Sequence, residues 1–418
     1  MNLVDYIRQN WLPLLMVFIP AGLFLAPLPH SSVVYYALLI ILAGLAVIKN
    51  QAISNTAILL LTACMLSIMF GNAAPLFRPW ERLGLFALLL IAYFPVFQSV
   101  FFDELRSRTF RIMLIVMVFT CIGSFIGYFF GINYMAISFK SFANSITIDT
   151  VGWFGGLTYQ SMMLSPICAI ALTILIWALT EWAETPKKKI IVTCAAFASL
   201  CCMMLTASRS GNAAGVAGVA LVLFLKYRSR IGKMMQIGIV GIMLAIVLSP
   251  VYMPYADKVL SKQKDNEAAG STFTSRQSHW EHRIEEFSEY PVFGYGFCAV
   301  DTDNHGEYMP STGIVEPGSS WLAILSMTGI VGTVCFIILL WSTVSKLYHE
   351  YKSEDDPWAL LHLGILTVFA VHFIAEGYVF AGGGALCFLF WFFFGCAYSY
   401  ARNPIPYSDV DAEDVEFE

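Results

Sequence analysis

The chain has 418 residues, of which 58% are hydrophobic and only 13% charged, and its mean hydropathy is +0.69. Soluble globules of this size carry about a quarter charged residues, so the composition excludes a chain that faces water on all sides and points to lipid as its solvent. The formal net charge of −5 excludes little, because much of the acidity sits in the tail Asp409–Glu418, which reads as a solvated end.

A helix that crosses the ~30 Å hydrocarbon layer needs about 20 mainly apolar residues. About twelve such segments are predicted: 11–29, 32–48, 54–71, 82–101, 110–131, 160–182, 189–207, 211–226, 232–250, 319–342, 358–377 and 380–400. The expected fold class is therefore all-α and polytopic. Residues 1–250 hold spans one to nine and 251–318 form a large extracytoplasmic loop. Residues 319–402 hold spans ten to twelve, and 403–418 form an acidic tail. A second outer segment is expected at about 132–159. No cleavable signal peptide is expected, because the first apolar run, 11–28, has no small-residue cleavage site in a polar flank. The cysteines fall in apolar runs, where Cys behaves as a small buried hydrophobe, and Cys298 is the one placed in a loop.

Lys and Arg set the orientation. One set of short loops carries Lys49, Arg106, Arg108, Arg111, Lys187 to Lys189, Lys226, Arg228, Arg230, Lys233, Lys346 and Lys352. The opposite set carries only Arg78, Arg82, Lys140 and Arg209. The positive side is cytoplasmic, both termini fall on it, and the loop 251–318 lies outside.

Charges near membrane depth are costly, roughly 2.5–3.5 kcal/mol at mid-bilayer on insertion scales, and so mark functional candidates. Arg209 stands in Leu205-Thr206-Ala207-Ser208-Arg209-Ser210-Gly211, where span seven ends and span eight begins on the outer side. Ser210 is expected to cap the following helix, whose free N–H groups favour an anion. The Arg209 guanidinium adds a fixed, planar charge suited to phosphate oxygens. The plainer alternative is an arginine snorkelling at a helix end.

A helix is predicted from Ser275 onward. At 100° per residue, Arg276, His279, Trp280, Arg283 and Phe287 share one stripe, with Glu281, Glu285 and Glu289 opposite. Its apolar face thus also carries two guanidiniums and an imidazole, which reads either as arginines aimed into a polar cavity or as arginine stems covering apolar surface. Pro291-x-x-Gly294-x-Gly296 follows as a helix stop and glycine turns. Glu316-Pro317-Gly318-Ser319-Ser320-Trp321-Leu322 opens span ten, with Ser319 or Ser320 as its N-cap. Glu316 is the best-placed carboxylate for taking a proton from a hydroxyl, or else an anion resting on the helix dipole. His305 is its rival as base. The run Asp301–Glu307 begins like a calcium loop, but Thr312 stands where a bidentate Glu is needed, so no metal is expected. His372 and Glu376, four residues apart on span eleven, either line the same cavity or pair with each other.

These motifs, in this order on this topology, resemble the O-antigen ligase and polymerase superfamily over about residues 190–340. The matching features are the 205–211 junction, Arg276-x-x-x-Trp280, Pro291-x-x-Gly294-x-Gly296 and Ser-Ser-Trp-Leu, with Gly329 and Gly332 further along. The resemblance implies a membrane glycosyltransferase of cell-envelope polysaccharide assembly. It would move a glycan from undecaprenyl diphosphate to an acceptor hydroxyl on lipid A-core or another glycan, outside the bacterial cytoplasmic membrane. The reaction would be inverting, and the family implies no metal, no other cofactor and no nucleic-acid partner. Arg209, Arg276, Arg283 and Ser210 would grip the diphosphate, and His279, Trp280, His372 and Glu376 would line the acceptor side. Ligases of the family carry His-Asn at the start of span ten, where this chain has Gly318 and Ser319. That departure leaves ligase and polymerase both open. The alternative class is a flippase or transporter of lipid-linked glycan, which would need polar residues along a path through the membrane.

Overall fold

The computed structural model describes residues 3–135, 154–230, 276–301, 308–309 and 314–404, with isolated positions between 232 and 243. Most of the ninth expected span, residues 251–275 of the expected loop, and the acidic tail lie outside the described residues, as does His305. Within the described residues the helices are α1 (Leu3–Ala21), α2 (Ser32–Ile48), α3 (Asn55–Phe70), α4 (Pro79–Tyr93), α5 (Val100–Phe129), α6 (Ser161–Glu181), α7 (Pro186–Leu205), α8 (Arg209–Tyr227), α9 (Gln277–Glu289), α10 (Ser320–Glu354), α11 (Pro357–His372) and α12 (Ala385–Arg402). Two short antiparallel pairs accompany them, β1 (Ala52–Ile53) with β2 (Phe97–Gln98) and β3 (Tyr308–Met309) with β4 (Ile314–Val315).

Six helices among the described residues, α5, α6, α7, α8, α10 and α12, are long and apolar enough to cross a membrane, and α2, α3 and α11 are apolar but shorter. Many helices begin where a short polar side chain can satisfy a free backbone amide. Ser31, Ser54, Ser99, Thr185, Ser208, Ser319 and Asp356 each accept from an N–H in the first turn of α2, α3, α5, α7, α8, α10 and α11 respectively.

Three boundaries differ from expectation for identifiable reasons. Helix α4 stops at Tyr93 rather than near 101, because Phe94 precedes a proline and adopts an extended conformation, and the chain then pairs at β2. Helix α5 starts at Val100, ten residues early, so Arg106 is helical rather than a loop charge. It is buried, with Nε donating to the Tyr93 carbonyl at 3.1 Å and Nη1 to Ser399 Oγ at 3.3 Å, and it is ion-paired with Asp103 at 3.4 Å. Helix α11 ends at His372, which leaves Glu376 in the loop beyond it rather than on the same helical face.

The position of α8 is set by small residues. Built Cβ atoms at Gly211 and Gly218 would lie 1.5 Å from Ser165 Oγ on α6 and 2.5 Å from Val368 Cγ2 on α11. Only glycine lets the three helices come this close, a packing mode suited to a medium where side chains gain nothing by hiding from water. The far end of α8 is tied by Lys226 Nζ to Glu181 Oε2 on α6 at 2.7 Å. The N-terminus of α8 is thereby fixed at the end of the bundle opposite that ion pair.

Helix α10 is broken at Gly329, whose φ of 61° and ψ of −166° lie outside the helical region. The break frees the amides of Ile330 and Val331, which donate to the carbonyls of Pro291 at 2.9 Å and Val292 at 3.3 Å. Tyr295 N in turn donates to the Ser326 carbonyl at 2.7 Å. The Pro291-to-Gly296 turn is thus a plug that caps a kink, and it fixes where α9 leaves the bundle.

Replacing Gly218 with Leu should destabilise the protein by about 1–3 kcal/mol, the usual cost of overpacking. Gly44→Ala, at a position with nothing within 4 Å, should stabilise it by up to about 1 kcal/mol. Thermal unfolding of the two variants in detergent, measured against the parent chain, checks both signs.

Candidate functional site

Four separate segments meet at the N-terminal ends of α8 and α10. Ser319 and Ser320 do most of the joining. Ser319 Oγ accepts from Leu322 N at 3.4 Å and donates to the Phe373 carbonyl at 3.0 Å. Ser320 Oγ donates to the Glu376 carbonyl at 2.7 Å and accepts from Tyr378 N at 3.0 Å. Trp321 Nε1 donates to the Ala370 carbonyl at 2.9 Å. The Ser-Ser-Trp-Leu sequence therefore pins the loop 373–378 against the start of α10. Gly377 packs on Pro317, where an added Cβ would lie 2.4 Å from Pro317 Cγ.

Helix α9 lies across these two loops. Arg276, at its N-cap, donates from Nη1 to Glu316 Oε1 at 2.9 Å and from Nη2 to both oxygens of Glu376 at 3.0 and 3.1 Å. The two carboxylates differ in setting, since the Glu316 side chain is 47% exposed and that of Glu376 only 13%. Ser210, at the start of α8, stands close enough to the Glu376 carboxylate to favour its ionised form. Burial pushes the Glu376 carboxyl up to about 7. The Arg276 guanidinium opposes that rise, the Glu316 carboxylate adds to it and the Ser210 hydroxyl lowers it.

Arg209 is the first residue of α8 and is exposed, and no ion pair to it forms among the described residues. The helix is capped by Ser208, whose Oγ accepts from Gly211 N at 3.2 Å, rather than by Ser210 as expected. Ser210 Oγ instead lies 3.2 Å from that of Ser208.

Gly318 has a φ of +71°, and a Cβ built on it would lie 2.6 Å from His279 Cβ. Both facts require glycine there. The imidazole of His279 packs over the position that a side chain at 318 would occupy, with Cγ 3.3 Å from the built Cβ. Trp280 Nε1 donates to the Gly318 carbonyl at 3.4 Å. His279 and Trp280 thus stand beside the Arg276 cluster, as their shared stripe predicts.

Two expected site residues are placed elsewhere. Arg283 is two turns along α9, roughly 10 Å from Arg276 at 1.5 Å per residue. Its side chain is 0% exposed and pairs with Glu286 at 2.8 Å. Glu286 Oε1 also accepts from Asp301 N at 2.8 Å. Arg283 therefore anchors α9 to the 297–301 segment, and its charge is already engaged inside the protein. His372 is buried and its Nδ1 lies 3.0 Å from Tyr378 Oη. It is bonded to Tyr378 rather than paired with Glu376. Sequence reasoning had Glu376 only as a lining residue. Its role as the second partner of Arg276 spans 100 residues of chain, a separation that no local pattern reveals.

Residues 194–337 match the model of the O-antigen ligase family. Over this segment, about a third of the chain, the sequence is similar to the O-antigen ligase family. The matched stretch takes in Ser208 to Ser210, Arg276, Glu316 and the kinked first half of α10, while Glu376 lies beyond it. The match supports a role in O-antigen ligation or polymerisation, and together with the apolar helices it supports a multi-pass membrane protein. No curated protein matches the chain.

Truncating Arg283 to Met should take the guanidinium from the buried Glu286 carboxylate and cost about 3–5 kcal/mol of stability. The double variant Arg283→Met, Glu286→Leu should recover most of that loss. Unfolding midpoints of the single and double variants check the structural role.

Proposed function

We propose that the chain transfers a glycan from a polyprenyl diphosphate, of the undecaprenyl type, to an acceptor hydroxyl at the outer face of the bacterial cytoplasmic membrane. The observation that carries this reading is the meeting of Arg276 and Ser210 with Glu316 and Glu376 at the N-terminus of α8, beside the exposed Arg209. A diphosphate leaving group gathers negative charge as its bond to the sugar breaks. Fixed donors already aimed at that charge lower the barrier without reorganising. Arg276 supplies a planar fork held at both ends, Arg209 a second permanent charge, and α8 the free amides and dipole of its first turn.

The same end of the bundle suits the expected orientation. Lys226 and Arg402 lie at the opposite helix ends, where the positive-inside rule expects the cytoplasm. On this reading about twelve spans cross the membrane, both termini are cytoplasmic, and the Arg276 cluster faces outward. Ligase and polymerase chemistry are alike at the donor and differ in the acceptor, lipid A-core for one and a second lipid-linked glycan for the other. Translocation by a flippase would draw on charges along a path through the bundle. The ion pairs that join the spanning helices and their loops among the described residues gather at helix ends instead.

The test is turnover by purified protein in lipid nanodiscs, supplied with undecaprenyl-diphosphate glycan and either acceptor and scored by loss of lipid-linked sugar. Arg276→Lys, which keeps the charge and loses the fork, should slow transfer at least tenfold, about 1.4 kcal/mol of barrier. Arg209→Lys should also slow it, by a smaller factor. Glycan crossing the bilayer with no bond cleaved would contradict the proposal.

A further inference from the structure

We infer that Glu376 is the group that takes the proton from the attacking hydroxyl, and that Arg276 holds it until the donor arrives. This rests on the transfer reading above and adds the identity of the base. Sequence reasoning expected Glu316 or His305 in that role. His305 lies outside the described residues, and Glu316 is half in water with one bond to Arg276. Glu376 is nearly enclosed, and two hydrogen bonds from Arg276 Nη2 fix the orientation of its carboxylate. A general base works best when its own affinity for a proton matches the working pH, and burial brings Glu376 to that range.

The groups facing Glu376 come from every element around it. They are Arg276 from α9, Glu316 from the loop before α10, Ser210 from the start of α8, and Tyr378 and His372 from its own segment. Arg276 is the only cation with a direct bond to Glu376 among the described residues. A diphosphate competes for the same guanidinium. When Arg276 turns to the donor, Glu376 loses the charge that stabilises its ionised form and becomes a stronger base. Donor binding thus readies the proton acceptor, and water alone at the empty site meets a carboxylate still held by its arginine.

The step balances within the reactants. The acceptor oxygen forms a bond to the anomeric carbon as the bond from that carbon to the phosphate oxygen breaks. The polyprenyl diphosphate departs with the electron pair, held by Arg276. The hydroxyl proton passes to a carboxylate oxygen of Glu376 and then to water. No oxidant, reductant or further reactant is involved.

The experiment measures kcat against pH from 5.5 to 8.5 for the full chain in nanodiscs, with undecaprenyl-diphosphate glycan as donor and lipid A-core or a second donor molecule as acceptor. Three forms are compared: the parent chain, Glu376→Gln and Glu316→Gln. Because the base must be ionised, kcat of the parent should rise about tenfold per pH unit at the acid end and level off at or above pH 7. Glu376→Gln should lose at least 100-fold in kcat, in line with general-base contributions of about 10²–10⁴. It should bind donor within a few-fold of the parent and show no acid limb. Glu316→Gln should keep the acid limb. A flat parent profile between pH 6 and 8, an acid limb that vanishes in Glu316→Gln, or more than a tenth of the parent kcat in Glu376→Gln overturns the assignment while transfer itself stands. Should Glu376→Gln not fold, the parent and Glu316→Gln profiles decide the matter. No consumption of donor by the parent chain with either acceptor overturns the transfer reading as well.

Discussion

A single guanidinium at the N-terminal end of α9 closes the site, because Arg276 is the point where chain segments 40 and 100 residues away become neighbours. Without it, burial would push the Glu376 carboxyl, enclosed by protein, up further still. With it, Glu376 stays poised near neutrality. The loops that hold the two carboxylates depend in turn on Ser319 and Ser320. These cap α10 and pin the 373–378 segment in the same few atoms. Helix start, loop anchoring and site chemistry are therefore one construction, and a change in any of them moves the others.

The bundle supplies the rigidity that this construction needs. Glycines along α8 bring it against α6 and α11 closely enough to fix the height of its first turn. The kink at Gly329 opens two amides on α10, and the Pro291-to-Gly296 turn fills them. That plug sets the direction in which α9 departs, and Arg283 with Glu286 locks its middle to the protein. Catalysis by placement and electrostatics works only when the groups do not have to be reorganised at the moment of reaction. A charged fork on a helix anchored at two points meets that condition better than one on a free loop.

Much of this was legible in the sequence. The apolar segments marked the helices, and helix is found in the described residues of each expected segment. Arg276, His279 and Trp280 were recoverable from a stripe at 100° per residue, and Ser319 from its place before an apolar run. What differed turned on which neighbour each side chain folds against, near or far in the chain, and composition and periodicity do not carry that choice. Arg283 looked like a second phosphate ligand because its stripe carries no sign that Glu286 would be folded under it. Ser210 looked like the cap because both serines stand before the apolar run, and the backbone geometry that makes Ser208 the cap is not written in the residue types. His372 and Glu376 looked like one helical face, but α11 ends between them, and the two side chains turn to Tyr378 and Arg276 respectively. The glycine at 318 is explained by contact with His279 across the site.

The most direct measurement is a structure of the protein with undecaprenyl diphosphate bound, determined in nanodiscs by electron microscopy. The account predicts phosphate oxygens within hydrogen-bond reach of Arg276 and near Arg209 at the first turn of α8, with Arg276 drawn away from Glu376. A diphosphate bound elsewhere on the bundle, with Arg276 still bonded to both Glu316 and Glu376, would contradict it.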